Sequence, residues 1–146
     1  MTAGPMSIVI DASIAAAWCF EDEATAATDE IAGRVRLAGG CVPNLWRLEI
    51  GNVLLGAERR GRLKAGIAAA LFEQLGRLPI KTDSETSGRA WSEIAALARL
   101  HRLTTYDAAY LELAVRLALP LATLDVALAE AAGKEGVTVL GAAQAG

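Results

Sequence analysis

The chain has 146 residues, of which 53% are hydrophobic and 5% aromatic, and its formal net charge is −3. This composition excludes a disordered chain and matches one domain whose core is built mainly from aliphatic side chains. The small negative charge argues against a protein that coats nucleic acid with a basic surface, but not against an enzyme whose acids bind cations. Charged residues interrupt each apolar run before the roughly 20 residues of a membrane helix, so we expect a cytoplasmic protein.

The predicted elements alternate between short apolar strands and helices. Strands are predicted at 7–10, 41–42, 78–80, 120–123 and 137–140. Helices are predicted at 14–20, 21–37, 44–60, 64–76, 85–101, 106–117 and 126–132. Because parallel neighbours need crossover connections, this alternation predicts an α/β fold, a three-layer α/β/α sandwich with a short central parallel sheet. We expect one domain over residues 6–141, with terminal extensions at 1–5 and 142–146.

Three local expectations accompany these elements. The acidic run 21–23 is expected in the first turn of the second helix, where it would oppose the macrodipole. Asp83 and Ser84 are expected to cap the helix at 85–101. Trp91 is expected on the apolar face of that helix, with Ile94 and Ala98.

Four carboxylates lie beside apolar segments, where an ionised group is costly to bury without a cation or hydrogen bonds. They are Asp11, Glu49, Asp107 and Asp125. Each has a small hydroxyl or amide residue nearby in the chain, namely Ser13, Asn52, Thr105 and Thr123. Taken singly, each acid has another explanation, because Asp11, Asp107 and Asp125 suit helix starts and Glu49 suits a solvated helix face. The single histidine excludes a multi-histidine zinc site, which leaves oxygen ligands and favours Mg²⁺ or Mn²⁺.

The chain resembles the PIN-domain nucleases, and among them the VapC-type toxins of bacterial type II toxin–antitoxin systems. The resemblance rests on four motifs in family order: Ile8-Val-Ile-Asp-Ala-Ser13, Glu49-Ile-Gly-Asn52, Leu103-Thr-Thr-Tyr-Asp-Ala-Ala-Tyr-Leu111 and Leu121-Ala-Thr-Leu-Asp-Val-Ala-Leu128. It implies that Asp11, Glu49, Asp107 and Asp125 form a catalytic quartet that binds Mg²⁺ or Mn²⁺. Ser13, Asn52, Thr105 and Thr123 would support it.

The same resemblance implies an activity and partners. The activity would be hydrolysis of RNA phosphodiester bonds by metal-activated water, which leaves a 5′-phosphate and a 3′-hydroxyl. A cognate VapB-type antitoxin would inhibit the enzyme, and the chain would form a homodimer. Asp125 is the acid whose direct ligation is left open, since it would act either directly or through water.

Substrate contacts and other function classes remain open at this point. The basic run containing Arg59, Arg60 and Arg62 is a candidate for binding substrate phosphates, or else a solvated helix end. Tyr106 and Tyr110 flank Asp107 without an assigned role. An alternative function is a catalytically inactive PIN-like module that binds RNA or a partner. A phosphotransferase with Asp11 as nucleophile is disfavoured, because the second acid expected two residues later is Ser13.

Overall fold

Five short parallel strands form the centre of the fold in the computed structural model, which describes residues 7–142. They are β1 (Ile8–Ile10), β2 (Gly40–Val42), β3 (Ile80–Thr82), β4 (Leu121–Thr123) and β5 (Val139–Gly141). Their order is β3-β2-β1-β4-β5, and every neighbouring pair is parallel. The predicted α/β sandwich with a parallel sheet is confirmed. The predicted terminal extensions lie outside the described residues, apart from Ala142.

Helical segments connect successive parallel strands as crossovers. They are α1 (Ala12–Cys19), α2 (Ala26–Ala38), α3 (Trp46–Arg59), α4 (Ile67–Gly76), α5 (Thr86–Arg89), a π-helical turn (Ala90–Ile94), α6 (Ala95–His101), α7 (Thr105–Leu117) and α8 (Val126–Lys134). Between residues 7 and 142, none of these helices has both the length and the apolar character needed to cross a membrane.

The core centres on β1, the middle strand. Ile8, Val9 and Ile10 are fully buried between the helical layers. Gly40 lets the neighbouring β2 approach closely, because a Cβ at that position would lie 2.6 Å from Cδ1 of Ile10. β1 is therefore apolar on both faces, as expected for a strand inside a parallel sheet.

The start of α2 differs from the prediction. Residues 21–23 form a turn instead of a helix, and α2 begins after a capping box in which Thr25 and Thr28 exchange side-chain and backbone hydrogen bonds. This box satisfies free backbone N–H groups at the start of α2. The acids at 21–23 precede that start, so they do not reach these N–H groups. Asp22 and Glu23 instead form ion pairs with Arg62, at 2.9 and 2.7 Å.

The segment before α6 also departs from the expected regular helix. Glu85 occupies the cap position without a side-chain cap bond, and Asp83 pairs with Arg116 at 2.7 Å, so the predicted capping by Asp83 and Ser84 is wrong. Trp91 is 97% exposed, whereas Ile94 is buried as predicted. Trp91 lies inside the π-helical turn, whose wider winding departs from the regular α-helical spacing on which the prediction rested.

Candidate active site

The direction of strand succession reverses between β1 and β4, which are adjacent at the centre of the sheet. In open parallel sheets, ligand sites lie at this switch point, outside the carboxyl ends of the strands. Asp11 follows β1 directly, and Thr123 is the last residue of β4. The reversal therefore brings the first and fourth sequence motifs to the same crevice.

The four acids occupy the starts of four helices. Asp11 and Asp125 are the N-cap residues of α1 and α8, and Glu49 and Asp107 lie in the first turns of α3 and α7. Since α7 leads into the beginning of β4, it runs opposite to the strands and begins at their carboxyl edge. Helix N-termini favour negative charge, so the capping role and the shared location are compatible.

Asp11 is buried, with 5% of its surface exposed, and hydrogen bonds reach both carboxylate oxygens. The hydroxyl of Ser13 donates to Oδ1 at 2.5 Å, and the backbone N–H of Ile14 donates to the same atom at 3.3 Å. The hydroxyl of Thr123 donates to Oδ2 at 2.5 Å. Such charge-assisted bonds offset part of the cost of burying the carboxylate.

Ser13 and Thr123 also join Asp11 to the turn that follows β4. The Ser13 Oγ accepts from the backbone N–H of Leu124 at 2.9 Å, and the Thr123 Oγ1 accepts from that of Asp125 at 3.0 Å. Each hydroxyl therefore donates to Asp11 and accepts from the β4–α8 turn. This double use orients Asp11 relative to the segment that carries Asp125.

Glu49 is half-buried, and its Oε1 accepts a 2.5 Å hydrogen bond from the hydroxyl of Tyr110. Tyr110 is 1% exposed and lies on α7, one turn beyond Asp107. The sequence analysis assigned no role to this tyrosine. The available signal was its three-residue spacing from Asp107, which puts both residues on one side of a helix.

Asp107 and Asp125 make backbone-directed contacts. The backbone N–H of Asp107 donates to the Thr104 hydroxyl at 3.1 Å, so Thr104 caps α7. The Asp125 Oδ1 accepts from the backbone N–H of Leu128 at 2.9 Å, while Asp125 itself is exposed. Asp125 is thus the most solvated of the four acids.

The pKa shifts show that the acids sense one another. Burial raises the pKa of Asp11 to about 6, against the hydrogen bonds from Ser13 and Thr123, and the charge of Asp107 adds to the rise. Burial also raises the pKa of Glu49, which Tyr110 opposes and Asp107 reinforces. For Asp107, burial and then the charge of Asp125 raise the pKa. Asp107 is therefore the acid whose charge couples to the other three.

Comparison with known proteins identifies the family. The family model described as "PIN domain" matches residues 8–134. The chain belongs to the PIN-domain family. It is 30% identical over 125 residues to Ribonuclease VapC3 of Pyrobaculum aerophilum, covering 86% of this chain and 94% of that protein. The expected family resemblance is confirmed.

Two solved structures share the PIN-domain fold. The crystal structure of PAE2754 from Pyrobaculum aerophilum has a TM-score of 0.68 and 24% identity, covering 92% of this chain and 84% of the other. The crystal structure of FitAcB from Neisseria gonorrhoeae has a TM-score of 0.60 and 17% identity, covering 90% and 95%. At these identities the two likenesses concern the fold.

The donor set of this PIN domain suits a hard divalent cation, although its geometry is open. Within residues 7–142, no three histidine, cysteine, aspartate or glutamate side chains stand close enough to form a ready metal cage. The charges of these acids affect one another's pKa over longer distances than a metal ion could bridge by direct coordination. The pKa shifts and the absence of a ready cage are therefore compatible with one loose acidic cluster. Mg²⁺ normally keeps several waters and takes only one or two carboxylates, so it does not require such a cage.

The predicted supporting residues divide into two groups. Ser13 and Thr123 contact Asp11, as described above. Asn52 lies exposed on α3, one turn from Glu49, and Thr105 is exposed at the start of α7. No side-chain hydrogen bond of Asn52 or Thr105 occurs between residues 7 and 142, and Thr104 makes the contact with Asp107 instead.

The predicted basic run divides in the same way. Arg59 and Arg60 are exposed at the end of α3, whereas the guanidinium of Arg62 is paired with Asp22 and Glu23 and lies 3.9 Å from the ring centre of Phe20. Arg62 therefore ties the end of α3 to the turn after α1. Arg59 and Arg60 keep exposed side chains.

Proposed function

We propose that this PIN-domain protein is a metal-dependent endoribonuclease toxin that hydrolyses RNA phosphodiester bonds. The observation that carries the proposal is the buried carboxylate of Asp11 at the carboxyl end of β1, whose two oxygens accept hydrogen bonds from Ser13 and Thr123. The other three acids, Glu49, Asp107 and Asp125, come from separate segments and also lie at helix starts. The name of the relative, Ribonuclease VapC3, supports the same activity.

The acids are proposed to hold Mg²⁺, with Mn²⁺ able to substitute. A bound ion of this kind supplies an activated water as nucleophile and offsets negative charge on the phosphate. Asp11 and Glu49 would be ligands restrained by Ser13, Thr123 and Tyr110, Asp107 would be the central ligand, and exposed Asp125 would act directly or through water. The expected products carry a 5′-phosphate and a 3′-hydroxyl, because water attacks instead of the ribose 2′-hydroxyl.

The proposed partners follow from the toxin class. A cognate VapB-type antitoxin would restrain the enzyme by covering the acidic crevice, and the active form is proposed to be a homodimer. The substrate is proposed to be cellular RNA, and the enzyme is accordingly proposed to act in the cytoplasm. Exposed Arg59 and Arg60 are the proposed phosphate contacts.

Cleavage of RNA by the purified full chain in Mg²⁺ tests the proposal. We expect Asp11→Asn to lower the rate about 100-fold or more, because a metal ligand is lost while the helix cap remains. Asp29→Asn is the matched control, since Asp29 is an exposed acid in the first turn of α2. EDTA should stop the wild-type reaction, and Mn²⁺ should restore it. Cleavage that survives both EDTA and Asp11→Asn would refute the metal mechanism.

The alternative, an inactive PIN-like module, predicts a different pattern. The open spacing of the acids is the observation that favours it. Calorimetry would then show RNA or partner binding with no uptake of Mg²⁺ or Mn²⁺. Binding of either ion by wild type, and its loss in Asp11→Asn, would exclude this alternative.

A further inference from the structure

Tyr110 makes the one hydrogen bond that the carboxylate of Glu49, a proposed ligand, accepts within residues 7–142. Its hydroxyl donates to Oε1 of Glu49 at 2.5 Å across 61 positions of sequence. Within residues 7–142, the carboxylate of Glu49 accepts no other hydrogen bond, and Oε2 accepts none. The position of the Glu49 carboxylate thus depends on a single hydroxyl.

Two of the other acids, Asp11 and Asp125, are held differently. Asp11 and Asp125 have short side chains that accept backbone N–H bonds as helix caps, at 3.3 and 2.9 Å. Glu49 has a longer side chain, and α3 has no side-chain cap bond at its start. The negative charge of Asp107 acts on Glu49. Without Tyr110, repulsion and rotamer freedom would both favour a Glu49 carboxylate turned towards water.

The ring of Tyr110 is rigidly placed. It belongs to the main core cluster together with Leu111 and the residues of β1, and it is 1% exposed. Tyr110 also shares α7 with Asp107, three residues away. The hydrogen bond therefore links Glu49 on α3 to α7, the helix that carries Asp107.

We propose that Tyr110 is a positioning residue that fixes the Glu49 carboxylate beside Asp107 and leaves Oε2 for a divalent cation. The proposal rests on the proposed function, because it requires that Glu49 is a metal ligand. Tyr110 acts through Glu49 and has no contact with RNA in this role. Loss of the Tyr110 hydroxyl should therefore lower the affinity for the metal ion, and the rate of cleavage should fall only as a consequence.

Calorimetric titration of the full chain with Mn²⁺ alone, without RNA, tests this role. Tyr110→Phe keeps the buried ring and removes the hydroxyl, and we expect Mn²⁺ affinity to fall about 10- to 100-fold. Tyr106→Phe is the matched control, because Tyr106 is 62% exposed on the same helix, and its affinity should stay within about twofold of wild type. Equal affinities of Tyr110→Phe and wild type would overturn the proposal.

A second control separates positioning from general loosening. Ile31→Val removes a methyl group from the core at a residue that is 4% exposed on α2, a helix that packs chiefly against α1 and β5. If this variant loses as much Mn²⁺ affinity as Tyr110→Phe, the loss reflects loosening and the positioning role is refuted. In cleavage assays, Tyr110→Phe should raise the Mn²⁺ concentration for half-maximal rate, with recovery at saturating Mn²⁺.

A spectroscopic measurement covers the case in which Tyr110→Phe does not fold. The chain contains two tyrosines, Tyr106 and Tyr110, so 3-fluorotyrosine labelling yields two resonances that Tyr106→Phe assigns. Glu49→Gln should move the resonance of Tyr110 and leave that of Tyr106 in place. No movement at Tyr110 would overturn the proposal. Wild type that binds no Mn²⁺ would instead refute the proposed function itself.

Discussion

At the scale of single residues, Asp11 shows how a cap and a candidate ligand coincide. Its carboxylate accepts a backbone N–H bond from Ile14 as an N-cap, which is the ordinary reason for aspartate at a helix start. The hydroxyls of Ser13 and Thr123 then hold both of its oxygens. Burial has a larger effect on the carboxylate than these hydrogen bonds, and it raises the pKa of Asp11 to about 6.

The raised pKa of Asp11 predicts that metal-free protein loses stability as pH rises. The folded state binds the proton more tightly than the unfolded state, whose ordinary pKa is 3.8, so stability should fall between about pH 4 and pH 6 and then level off. A shift of this size corresponds to about 2–3 kcal/mol in the free energy of unfolding. Raised pKa values at Glu49 and Asp107 add to the fall with the same sign.

Chemical denaturation in EDTA at several pH values measures this fall. Asp11→Asn should reduce the slope and be the more stable protein above pH 6, whereas the surface control Asp29→Asn should keep the wild-type slope. Stability that rises from pH 4 to pH 6 in wild type would contradict the assignment.

At the scale of secondary-structure elements, ion pairs decide how the helices join. The carboxylate of Glu112 on α7 is 5% exposed and pairs with Arg116 at 2.9 Å and Arg89 at 3.3 Å. Arg116 also reaches Asp83 after β3, and these two carboxylates raise its pKa. The network attaches α5 and the end of β3 to α7, the helix that carries Asp107. It thus supports the site from outside the crevice.

Removing Arg116 should be costly because it leaves the shielded carboxylate of Asp83 without its ion-pair partner and that of Glu112 with Arg89 alone. We expect Arg116→Met to lower the free energy of unfolding by about 3 kcal/mol, near the lower range for broken buried pairs. Arg77→Met is the matched control, because Arg77 and its partner Glu73 are 73% and 68% exposed, and it should cost less than about 0.5 kcal/mol. Urea denaturation at pH 7 measures both variants, and equal costs would contradict a structural role for the network.

At the scale of the whole molecule, the close contact between β2 and β1 holds the centre of the sheet. Gly40 faces Ile10 at a distance that leaves no room for a Cβ, since that atom would lie 2.6 Å from Cδ1. Both residues belong to central strands, one beside the other. The contact therefore restricts this position of β2 to a residue without a Cβ unless the side chain of Ile10 shifts.

Gly40→Ala should therefore destabilise the fold by about 1–3 kcal/mol through overpacking. Ile10→Val, which removes the methyl group that Cδ1 represents, should cost about 1 kcal/mol alone. The double variant should cost less than the sum of the two, because the shorter side chain makes room for the new Cβ. Thermal or urea unfolding of the three variants checks this, and strict additivity would show that the two sites do not interact.

Much of the fold could be predicted from the sequence because its signals are local. The run Ile8–Ile10 and the run ending at Thr123 are short and mostly apolar, which favours inner strands, and both are observed as strands. The errors have local causes as well. Helical periodicity predicted that Trp91 faces the core, but Trp91 lies in a π-helical turn, where the regular α-helical spacing does not hold. Residues 21–23 were predicted to begin α2, but the helix begins after the capping box of Thr25 and Thr28.

The sequence by itself determined which chemistry is available: oxygen ligands, with Asp11, Glu49, Asp107 and Asp125 beside apolar segments. The motifs are local in the sequence, so their residue types can be identified without knowledge of the fold. Only the tertiary structure decided which groups meet, because strand order and helix direction set contacts between distant segments. It joined Thr123 to Asp11 and Tyr110 to Glu49, put Thr104 instead of Thr105 beside Asp107, and committed Arg62 to an ion pair.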